Sequence, residues 1–338
     1  MTIGEQIDKA ALVAEWFERR SYEHARFGDA ALLAKHKQDR SLSVSVVLPC
    51  REVASTVGEI IDAVHALNER APLVDQIVAI DAASADGTAA IAASHRAEVY
   101  MEDELMNRFG PAIGKGDAMW RALAIVRGDL VLYLDADTLD FGPHFLLGLL
   151  GPLLEVPQIR FVKAAYRRVH ENAHDDGGRV TELAAKPLFN VFYPELTGFA
   201  QPLAGEFGGT RELLLSIPFF TGYAVEAGMM VDVLAAAGLH AMAQVDLGSR
   251  THRPQSIFEL GRMSYAVLRA IESRLREEGR LREPGSAGIP GLVAEADGYL
   301  HARRSSESLH LDHHVVEVIE RPPMADVLGH RAGAGARM

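Results

Sequence analysis

Two acidic residues, Asp135 and Asp137, follow a run of apolar, strand-forming residues in the segment LVLYLDADTLD (residues 130–140). Side chains alternate along a strand, so both carboxylates are expected to project to one side, with Ala136 opposite. Two neighbouring carboxylates repel each other, and a divalent cation such as Mg²⁺ resolves that repulsion together with substrate phosphate oxygens. The alternative is a solvated strand end, but the position after a strand of an α/β sheet favours a metal site.

A lysine between two glycines begins a helix-like stretch in GPAIGKGDA (residues 110–118). The spacing is not that of a Walker A loop, which needs four residues between its glycines and Ser or Thr after its lysine. Here three residues separate Gly110 from Gly114, and Gly116 follows Lys115. A lysine at the start of a helix is nevertheless well placed to meet phosphate. On this stretch alone, an exposed lysine on a surface helix is an equally good interpretation.

Further candidate residues lie in the second half of the chain. His252, in GSRTHRP, could add a nitrogen ligand and would favour Mn²⁺ or a similar ion alongside Mg²⁺. Arg179 and Thr181 follow paired glycines, and arginine suits bidentate contact with phosphate or carboxylate. Glu206 and Glu226 lie among small residues and could bind sugar hydroxyls. The structural alternatives are a surface histidine, a flexible loop and helix-capping acids.

Alternating strand and helix patterns predict the sheet that would hold these residues. Strands are predicted in LSVSVVLP, DQIVAIDAASADGTA and DLVLYLDAD, with helices between them in VGEIIDAVHALNER and GKGDAMWRALAIV. This order predicts an α/β domain with a mainly parallel sheet and helices on both faces. In such sheets ligands bind beyond the carboxyl ends of the strands, where PCRE, DAASADGT and DADT place polar residues.

The composition is that of an acidic chain with enough apolar residues for a full core: 338 residues, 48% hydrophobic, with a net charge of −12. The acidic balance argues against a nucleic-acid backbone or an anionic membrane as a partner. The most apolar run, FLLGLLGPLL, is too short to span a bilayer, and no secretory signal is apparent. The single cysteine, Cys50, excludes an internal disulfide. We therefore expect a soluble, cytoplasmic protein.

Several motifs together resemble a known group of enzymes. In chain order they are SVVLP, IDAASADGT, GKGDAMWRAL, LYLDADT, GGRVTEL, QPLAGEFGGTRELL, GYAVEAG, AQVDLGSRTHR and ERPPM. Their order and spacing resemble the actinobacterial glucosyl-3-phosphoglycerate synthases and the related mannosyl-3-phosphoglycerate synthases, which are retaining glycosyltransferases of the GT-A fold. The resemblance implies that fold, a nucleotide-sugar donor, 3-phosphoglycerate as acceptor, and a divalent metal, Mg²⁺ or Mn²⁺, as cofactor. It also suggests a homodimer.

The resemblance further implies a role for each matching residue. The residues that would bind the nucleotide are Pro49, Glu52, Asp81, Ser84, Lys115 and Asp135. The residues that would bind the sugar and the acceptor are Gly178, Arg179, Thr181, Leu203 and Glu226. The metal ligands would be Asp137 and His252. The residues that would take part in catalysis are Asp135, Asp137, Lys115 and Glu226.

One segment departs from the pattern of the glucosyl enzymes and bears on the donor. Those enzymes typically read P-A-L-N-E-E after the first strand, whereas this chain reads Pro49-Cys50-Arg51-Glu52-Val53. Because the segment would contact base and ribose, the change favours the mannosyl relatives, which use GDP-mannose. The expected product is mannosyl-3-phosphoglycerate, made by retaining transfer to the 2-hydroxyl of 3-phosphoglycerate for synthesis of the compatible solute mannosylglycerate. Transfer from UDP- or GDP-glucose is the alternative.

The expected organisation is one catalytic unit with extensions at both ends. The segments are an N-terminal helical segment (1–40), a GT-A catalytic domain (41–254), a C-terminal helical extension (255–325) and a disordered tail (326–338). Within the catalytic domain we expect a nucleotide-binding half (41–140) and an acceptor-binding half (141–254). The cluster HLDHH (310–314) has the composition of a metal site but is interpreted as a solvated tail segment.

Two functions of other classes remain as alternatives. A sugar-1-phosphate nucleotidyltransferase also combines a nucleotide-binding sheet with metal-binding acids. Such enzymes usually carry a glycine-rich G-T-R loop just after the first strand, whereas here PCREVAST follows it and GGTRE lies at residues 208–212. A non-catalytic sugar-nucleotide-binding protein is the other alternative, and the intact acid pair argues against it.

Overall fold

A computed structural model describes residues 3–169, 178–251, 256–281, 298–304 and 309–329. The helices are α1 (Ile3–Arg20), α2 (Ala30–Asp39), α3 (Val57–Arg70), α4 (Thr88–Ser94), α5 (Gly114–Ala122), α6 (Pro143–Glu155), α7 (Lys186–Phe192), α8 (Arg211–Ser216), α9 (Val225–Ala237), α10 (Ile257–Glu277) and α11 (Met324–Val327). The strands are β1 (Ser21–Glu23), β2 (Val44–Cys50), β3 (Gln76–Asp81), β4 (Glu98–Met101), β5 (Leu130–Tyr133), β6 (Phe161–Val169), β7 (Phe207–Thr210), β8 (Phe219–Phe220), β9 (Met242–Thr251), β10 (Gly298–Arg304), β11 (Leu309–Val315) and β12 (Glu320–Arg321). Within these ranges, no helix combines the length and the apolar character that a bilayer crossing requires.

Eight strands form one mixed sheet in the order β1-β9-β6-β7-β5-β2-β3-β4. Strand β7 is antiparallel to its neighbours β6 and β5, and every other adjacent pair is parallel. Because β5, β2 and β3 are parallel neighbours, their carboxyl ends lie side by side and bring together the three polar segments noted in the sequence. The prediction of an α/β fold with a mainly parallel sheet is confirmed.

Apolar side chains on the two faces of the sheet form two separate cores, each covered by helices. On one face, Val47 and Tyr133 belong to a buried cluster that includes Trp120 of α5. On the other face, Val46 and Leu132 cluster with apolar residues of α3 and α6. Because both faces are covered, the central strands are mostly apolar, which explains why they read as nearly continuous hydrophobic runs.

The N-terminal segment, expected to be helical over residues 1–40, also contributes a strand to the sheet. Strand β1 pairs in parallel with β9 at one margin of the sheet. Helix α1 is anchored through Trp16, which is buried and whose indole Nε1 donates to the carbonyl of Met242 at 2.9 Å. The Trp16 ring also packs on Phe199, with ring centroids 4.5 Å apart. The segment is therefore built into the catalytic sheet.

In the described part of residues 255–325, expected to be a helical extension, α10 and the start of α11 are helical, but the strands β10, β11 and β12 are present as well. Strands β10 and β11 form an antiparallel hairpin, and β12 pairs with β8. The HLDHH cluster lies in β11, so it belongs to a strand pair and not to a tail segment, because β11 is held by its pairing with β10. The described chain continues through α11 to Gly329, inside the tail expected to be disordered, and residues 330–338 lie outside the described residues.

Replacing Trp16 with alanine should destabilise the protein by about 3–5 kcal/mol, because the buried aromatic packing and the hydrogen bond to β9 are lost together. Phe17→Ala is the matched control, since Phe17 is adjacent on α1 and 50% exposed. The control should change the free energy of unfolding by about 0.5 kcal/mol or less. Urea denaturation measures both variants, and equal losses would contradict anchoring through Trp16.

Candidate active site

Charged side chains from five elements converge at the end of the sheet where β2, β3 and β5 terminate. Lys115 and Glu226 stand in the first turns of α5 and α9. Asp135 follows β5, Glu206 precedes β7, and Arg250 lies on β9. The structure thus brings the predicted residues Lys115, Asp135 and Glu226 into one cluster.

Lys115 is held between two carboxylates. Its Nζ lies 2.5 Å from Oδ1 of Asp135 and 3.5 Å from Oε1 of Glu226. Burial alone would lower the pKa of Lys115, but Asp135 and Glu226 raise it well above its ordinary range. Gly205 lies directly against this group, because a Cβ at Gly205 would overlap both the Lys115 ammonium and the Asp135 carboxylate. Lys115 is therefore a permanent cation in a closely packed space.

Arg250 joins three acidic side chains through one guanidinium group. Its Nη1 donates to Oδ2 of Asp135 at 2.9 Å and lies 2.9 Å from Oε1 of Glu206. Its Nη2 donates to Oδ1 of Asp137 at 2.8 Å. The Tyr166 hydroxyl donates to the other oxygen of Glu206 at 2.9 Å. The sequence showed only a basic cluster here, and the location of Arg250 at the carboxyl end of a strand was the signal that could have identified it.

The two acids of the DADT segment have different surroundings. The side chain of Asp135 is 16% exposed, and although burial would raise its pKa, Lys115 and Arg250 hold that pKa well below its usual range. The side chain of Asp137 is 67% exposed and is bound to Arg250 through one oxygen. Asp135 is therefore an ionised residue already occupied by two cations, whereas Asp137 remains accessible to a ligand.

Asp137 fits a divalent cation whose coordination is completed by ligand oxygens. Within the described ranges, no group of three or more His, Cys, Asp or Glu side chains is arranged to hold an ion. An accessible carboxylate beside the sheet end suits Mg²⁺, which takes one or two protein carboxylates together with phosphate and water oxygens. The second predicted ligand, His252, lies outside the described residues.

The residues expected to contact the nucleoside form one group at the ends of β2 and β3. Ser84 donates from Oγ to Oδ1 of Asp81 at 2.7 Å, and the same Oγ accepts from the amide of Glu52 at 2.9 Å. The Glu52 carboxylate in turn accepts from the amide of Ala85 at 2.8 Å. Pro49 precedes this group on β2. The structure therefore brings all four predicted residues together.

Cys50 lies on the same stretch, but its thiol is buried in the core. It pairs in register with Asp81 on β3. Burial raises the pKa of the Cys50 thiol to about 12, and the nearby carboxylates of Asp81 and Asp86 add to the increase. This departure from the glucosyl pattern therefore changes packing beneath the nucleoside group without adding a reactive sulfur.

The residues expected to bind the acceptor lie where the described chain resumes. Gly178 has a φ of +91°, which glycine adopts readily, and a Cβ there would lie 3.4 Å from Oε1 of Gln201. Arg179 follows, and Thr181 is buried at the start of a π-helical turn before α7. Leu203 is partly buried against the core. Because Gln201 and Leu203 precede Gly205, this segment links the Gly178 turn to the Lys115 cluster.

A second lysine, Lys163 of β6, is buried near the central acids. Its Nζ has no hydrogen-bond partner among the described residues and lies 5.1 Å from the ring centroid of Phe207. Burial lowers the pKa of Lys163 to about 8, against the opposing attraction of Glu226 and Glu206. The sequence did not indicate that Lys163 is buried beside these acids, because the sequence does not show which face of β6 is covered.

A mainly parallel sheet whose strand ends present an acid pair, a fixed lysine and the residues expected to contact a nucleoside agrees with the GT-A architecture, and comparison with known proteins identifies the chain as a glycosyltransferase. Residues 45–174 match the family Glycosyl transferase family 2. The glucosyl-3-phosphoglycerate synthase of Petrotoga mobilis is 36% identical over 315 residues, which cover 91% of this chain and 94% of that protein.

Two crystal structures extend the comparison. Mannosyl-3-phosphoglycerate synthase from Rubrobacter xylanophilus matches with a TM-score of 0.88 and 61% identity, covering 93% of this chain and 99% of that one. Glucosyl-3-phosphoglycerate synthase from Mycobacterium tuberculosis, solved with Mn²⁺, uridine diphosphate and phosphoglyceric acid, matches with a TM-score of 0.74 and 36% identity, covering 87% of this chain and 94% of that one. The chain belongs to glycosyl transferase family 2, in the group of the mannosyl- and glucosyl-3-phosphoglycerate synthases, and the GT-A prediction is confirmed.

Lys163→Met should stabilise the folded protein at pH 7 by on the order of 2 kcal/mol, because methionine removes a buried ammonium. The pKa of Lys163 falls from its ordinary 10.5 to about 8 on folding. Between pH 8 and 10.5, Lys163 is therefore protonated in the unfolded chain but largely deprotonated in the folded protein, so folding releases a proton. The unmodified protein should therefore gain stability relative to the variant as the pH rises from 8 to 10.5. Urea denaturation across this range measures the difference, and a difference independent of pH would contradict the expectation.

Proposed function

We propose that this protein transfers a mannosyl group from GDP-mannose to the 2-hydroxyl of 3-phosphoglycerate, with retention at the anomeric carbon. The observation that carries the proposal is the Lys115 cation, held between Asp135 and Glu226 beside the nucleoside-binding group. A diphosphate and its attached hexose, bound between that group and Glu226, would both lie next to this cation. The choice of mannose is supported by the 61% identity to the Rubrobacter xylanophilus mannosyl-3-phosphoglycerate synthase.

The proposed donor lies across the ends of β3, β2 and β5. Asp81 and Ser84 offer hydrogen-bonding groups to base and ribose, and their mutual bonds hold them in place. Lys115 is assigned to the diphosphate, because a cation suits that group and the strongly raised pKa of Lys115 keeps it charged at any physiological pH. Glu226 and Leu203 are assigned to the sugar. Each group therefore meets the part of the donor that suits its charge.

A divalent metal, Mg²⁺ or Mn²⁺, is proposed at Asp137 and His252. When bound, the ion would neutralise charge that develops on the leaving diphosphate. The Mn²⁺ in the Mycobacterium tuberculosis glucosyl-3-phosphoglycerate synthase supports this assignment. Arg250 binds one oxygen of Asp137 and so orients the carboxylate that would coordinate the ion.

The environment of Glu206 favours a front-face transfer without a covalent intermediate. Burial raises the pKa of Glu206, and its carboxylate is buried against the Tyr166 hydroxyl and the Arg250 guanidinium, so it is poorly placed to attack the sugar. In the front-face route the bond from C1 to the diphosphate oxygen breaks, and the acceptor 2-hydroxyl oxygen bonds to C1 on the same face. The hydroxyl proton passes to the departing diphosphate, which Lys115 stabilises as its charge grows.

The acceptor is assigned to Gly178, Arg179 and Thr181. The glycine backbone allows close approach, and arginine matches the phosphate or carboxylate of 3-phosphoglycerate. The link from Gln201 to Gly205 then brings the acceptor site next to the Lys115 cluster. We further propose that the protein works in the cytoplasm as a homodimer and supplies the precursor of mannosylglycerate.

Glucosyl transfer is the second candidate, because the Petrotoga mobilis relative is a glucosyl-3-phosphoglycerate synthase. The deciding experiment supplies 3-phosphoglycerate with GDP-mannose, GDP-glucose, UDP-glucose or UDP-mannose, with and without Mg²⁺ or Mn²⁺. GDP-mannose should give the highest kcat/KM, by about tenfold or more, since donor contacts discriminate in the transition state. Proton NMR of the product should show retained anomeric configuration.

Three outcomes would contradict the proposal, two of this experiment and one of a separate incubation with a nucleoside triphosphate and a sugar phosphate. Absence of transfer from every donor would remove the activity, and a preference for UDP-glucose would select the second candidate. Pyrophosphate release from a nucleoside triphosphate and a sugar phosphate would instead identify a nucleotidyltransferase.

Asp137→Asn should lower metal-dependent kcat by about 100-fold or more, because the amide is a poorer cation ligand. Asp140→Asn is the matched control, since Asp140 is an exposed acid on the same loop. Circular dichroism should show both variants folded, and metal titration should shift to higher concentration only for Asp137→Asn. Full activity of that variant at low metal concentration would remove the assignment.

A further inference from the structure

The motif ERPPM takes no part in the chemistry described above, yet it contacts the elements that carry the site. We define the C-terminal strap as residues 319–324, which comprise β12 and the residues on either side of it. Strand β12 pairs with β8, and Met324 at the end of the strap is buried in the core. The indole Nε1 of Trp120 donates to the carbonyl of Pro322 at 2.7 Å. The strap is therefore an integral part of the fold.

Arg321 of the strap binds Asp117, two residues beyond Lys115. Its Nε donates to Oδ1 of Asp117 at 2.9 Å, and its Nη2 donates to Oδ2 at 2.7 Å. Its Nη1 donates to the carbonyl of Phe109 at 2.8 Å. Both charged side chains are buried, so water does not compete for these bonds. The bidentate geometry fixes the orientation of Asp117 as well as its distance.

Asp117 in turn fixes the beginning of α5. Its Oδ2 accepts from the amide of Ile113, the residue before the helix, at 2.9 Å. The same oxygen lies 3.3 Å from Nη2 of Arg121, which also donates to the carbonyl of Gly110 at 2.7 Å. Lys115 lies in the turn between Ile113 and Asp117. Arg321 therefore contacts the residue that closes the turn carrying Lys115.

The strap also holds the residues that lead into α9. The amide of Thr221 donates to the carbonyl of Ile319 at 2.8 Å, and Oγ1 of Thr221 accepts from the amide of Ile319 at 3.1 Å. Thr221 is buried and directly follows β8. Glu226 stands in the first turn of α9, five residues later. One short segment thus holds both turns whose side chains meet at the site.

These two turns also contact each other directly. The amide of Gly222 donates to the carbonyl of Ile113 at 3.0 Å. A Cβ at Gly116 would overlap the carbonyl of Phe220, so α5 and β8 meet backbone to backbone. The 3.5 Å separation of Lys115 and Glu226 therefore depends on how closely these turns are held.

We propose that the C-terminal strap sets the position of Lys115 relative to Glu226, and that Arg321 is a positioning residue for the transfer reaction. Two buried arginines around one aspartate are weak evidence for added stability, because desolvation of the charges offsets their attraction. Their many directed bonds are well suited to fixing geometry. Displacement of a reacting group by about 1 Å can reduce a rate by roughly 100-fold. The effect on turnover rests on the function proposed above, whereas the effect on the two turns does not.

Arg321→Lys tests the proposal, because it keeps the charge but loses the bidentate contact. We expect kcat to fall by about tenfold or more, a larger factor than any change in the KM for the donor or in the Kd for GDP with Mn²⁺, because the charge on the diphosphate is greatest in the transition state. Trp120→Phe is a second variant that removes the bond to Pro322 together with part of a buried ring, and it should lower kcat in the same direction.

Lys37→Met is the matched control. Lys37 is also a buried cation bound to a carboxylate, with Nζ 2.8 Å from Oδ2 of Asp75. It lies on α2, a helix that contains none of the proposed site residues. Assays are run at a temperature where all variants are fully folded. Hydrogen exchange should accelerate in residues 111–118 and 219–226 of the Arg321→Lys and Trp120→Phe variants, and should remain unchanged there in Lys37→Met.

The outcomes separate this proposal from the proposed function. Unchanged exchange in both segments of both strap variants would overturn the positioning role whatever the activity. Retained kcat despite faster exchange, or an equal loss of kcat in Lys37→Met, would also overturn it. Faster exchange in the strap variants, combined with no transfer by the unmodified protein, would support the strap and reject the transfer reaction.

Discussion

The ion pairs of Arg250 are the interactions on which the site depends. Asp135, Asp137 and Glu206 lie around one guanidinium, and without it three carboxylates would face one another in a largely buried space. Burying a carboxylate without a partner is costly enough that it would take up a proton. Arg250 and Lys115 together keep Asp135 ionised, and this leaves Asp137 as the accessible acid. The different roles proposed for the two acids rest on their different exposure to water.

The elements that the sequence predicted well are those whose pattern is local. Continuous apolar runs identified β2, β3 and β5, and the α/β alternation placed their ends together. Asp135 and Lys115 were recognised because an acid after a strand and a lysine at a helix start are short-range features. The polar segments that contain Glu52, Asp81 and Ser84 were predicted at strand ends in the same way, whereas their role toward a nucleoside was implied by the family resemblance.

The features that the sequence did not reveal depend on contacts between distant parts of the chain. Arg250 is 115 residues from Asp135, and Arg321 is 204 residues from Asp117. No periodicity in either segment indicates such a partner. The hairpin of β10 and β11 was missed for a related reason, because pairing between strands decides the structure of a weakly patterned segment. The importance of Gly205 was overlooked because the sequence does not show that Lys115 and Asp135 lie against it and leave no space for a side chain.

The burial of Cys50 has a practical consequence for chemical labelling. Cys50 is the single cysteine of the chain, and its thiol has a pKa of about 12 in the folded state. At neutral pH the thiolate, which is the reactive form of cysteine, is therefore a very small fraction of the protein. The Cys50 thiol of the folded protein is therefore expected to react very slowly with maleimides and disulfide reagents. A cysteine introduced at a surface position would be the sole reactive thiol, so fluorophores or spin labels could be attached without first removing the natural residue.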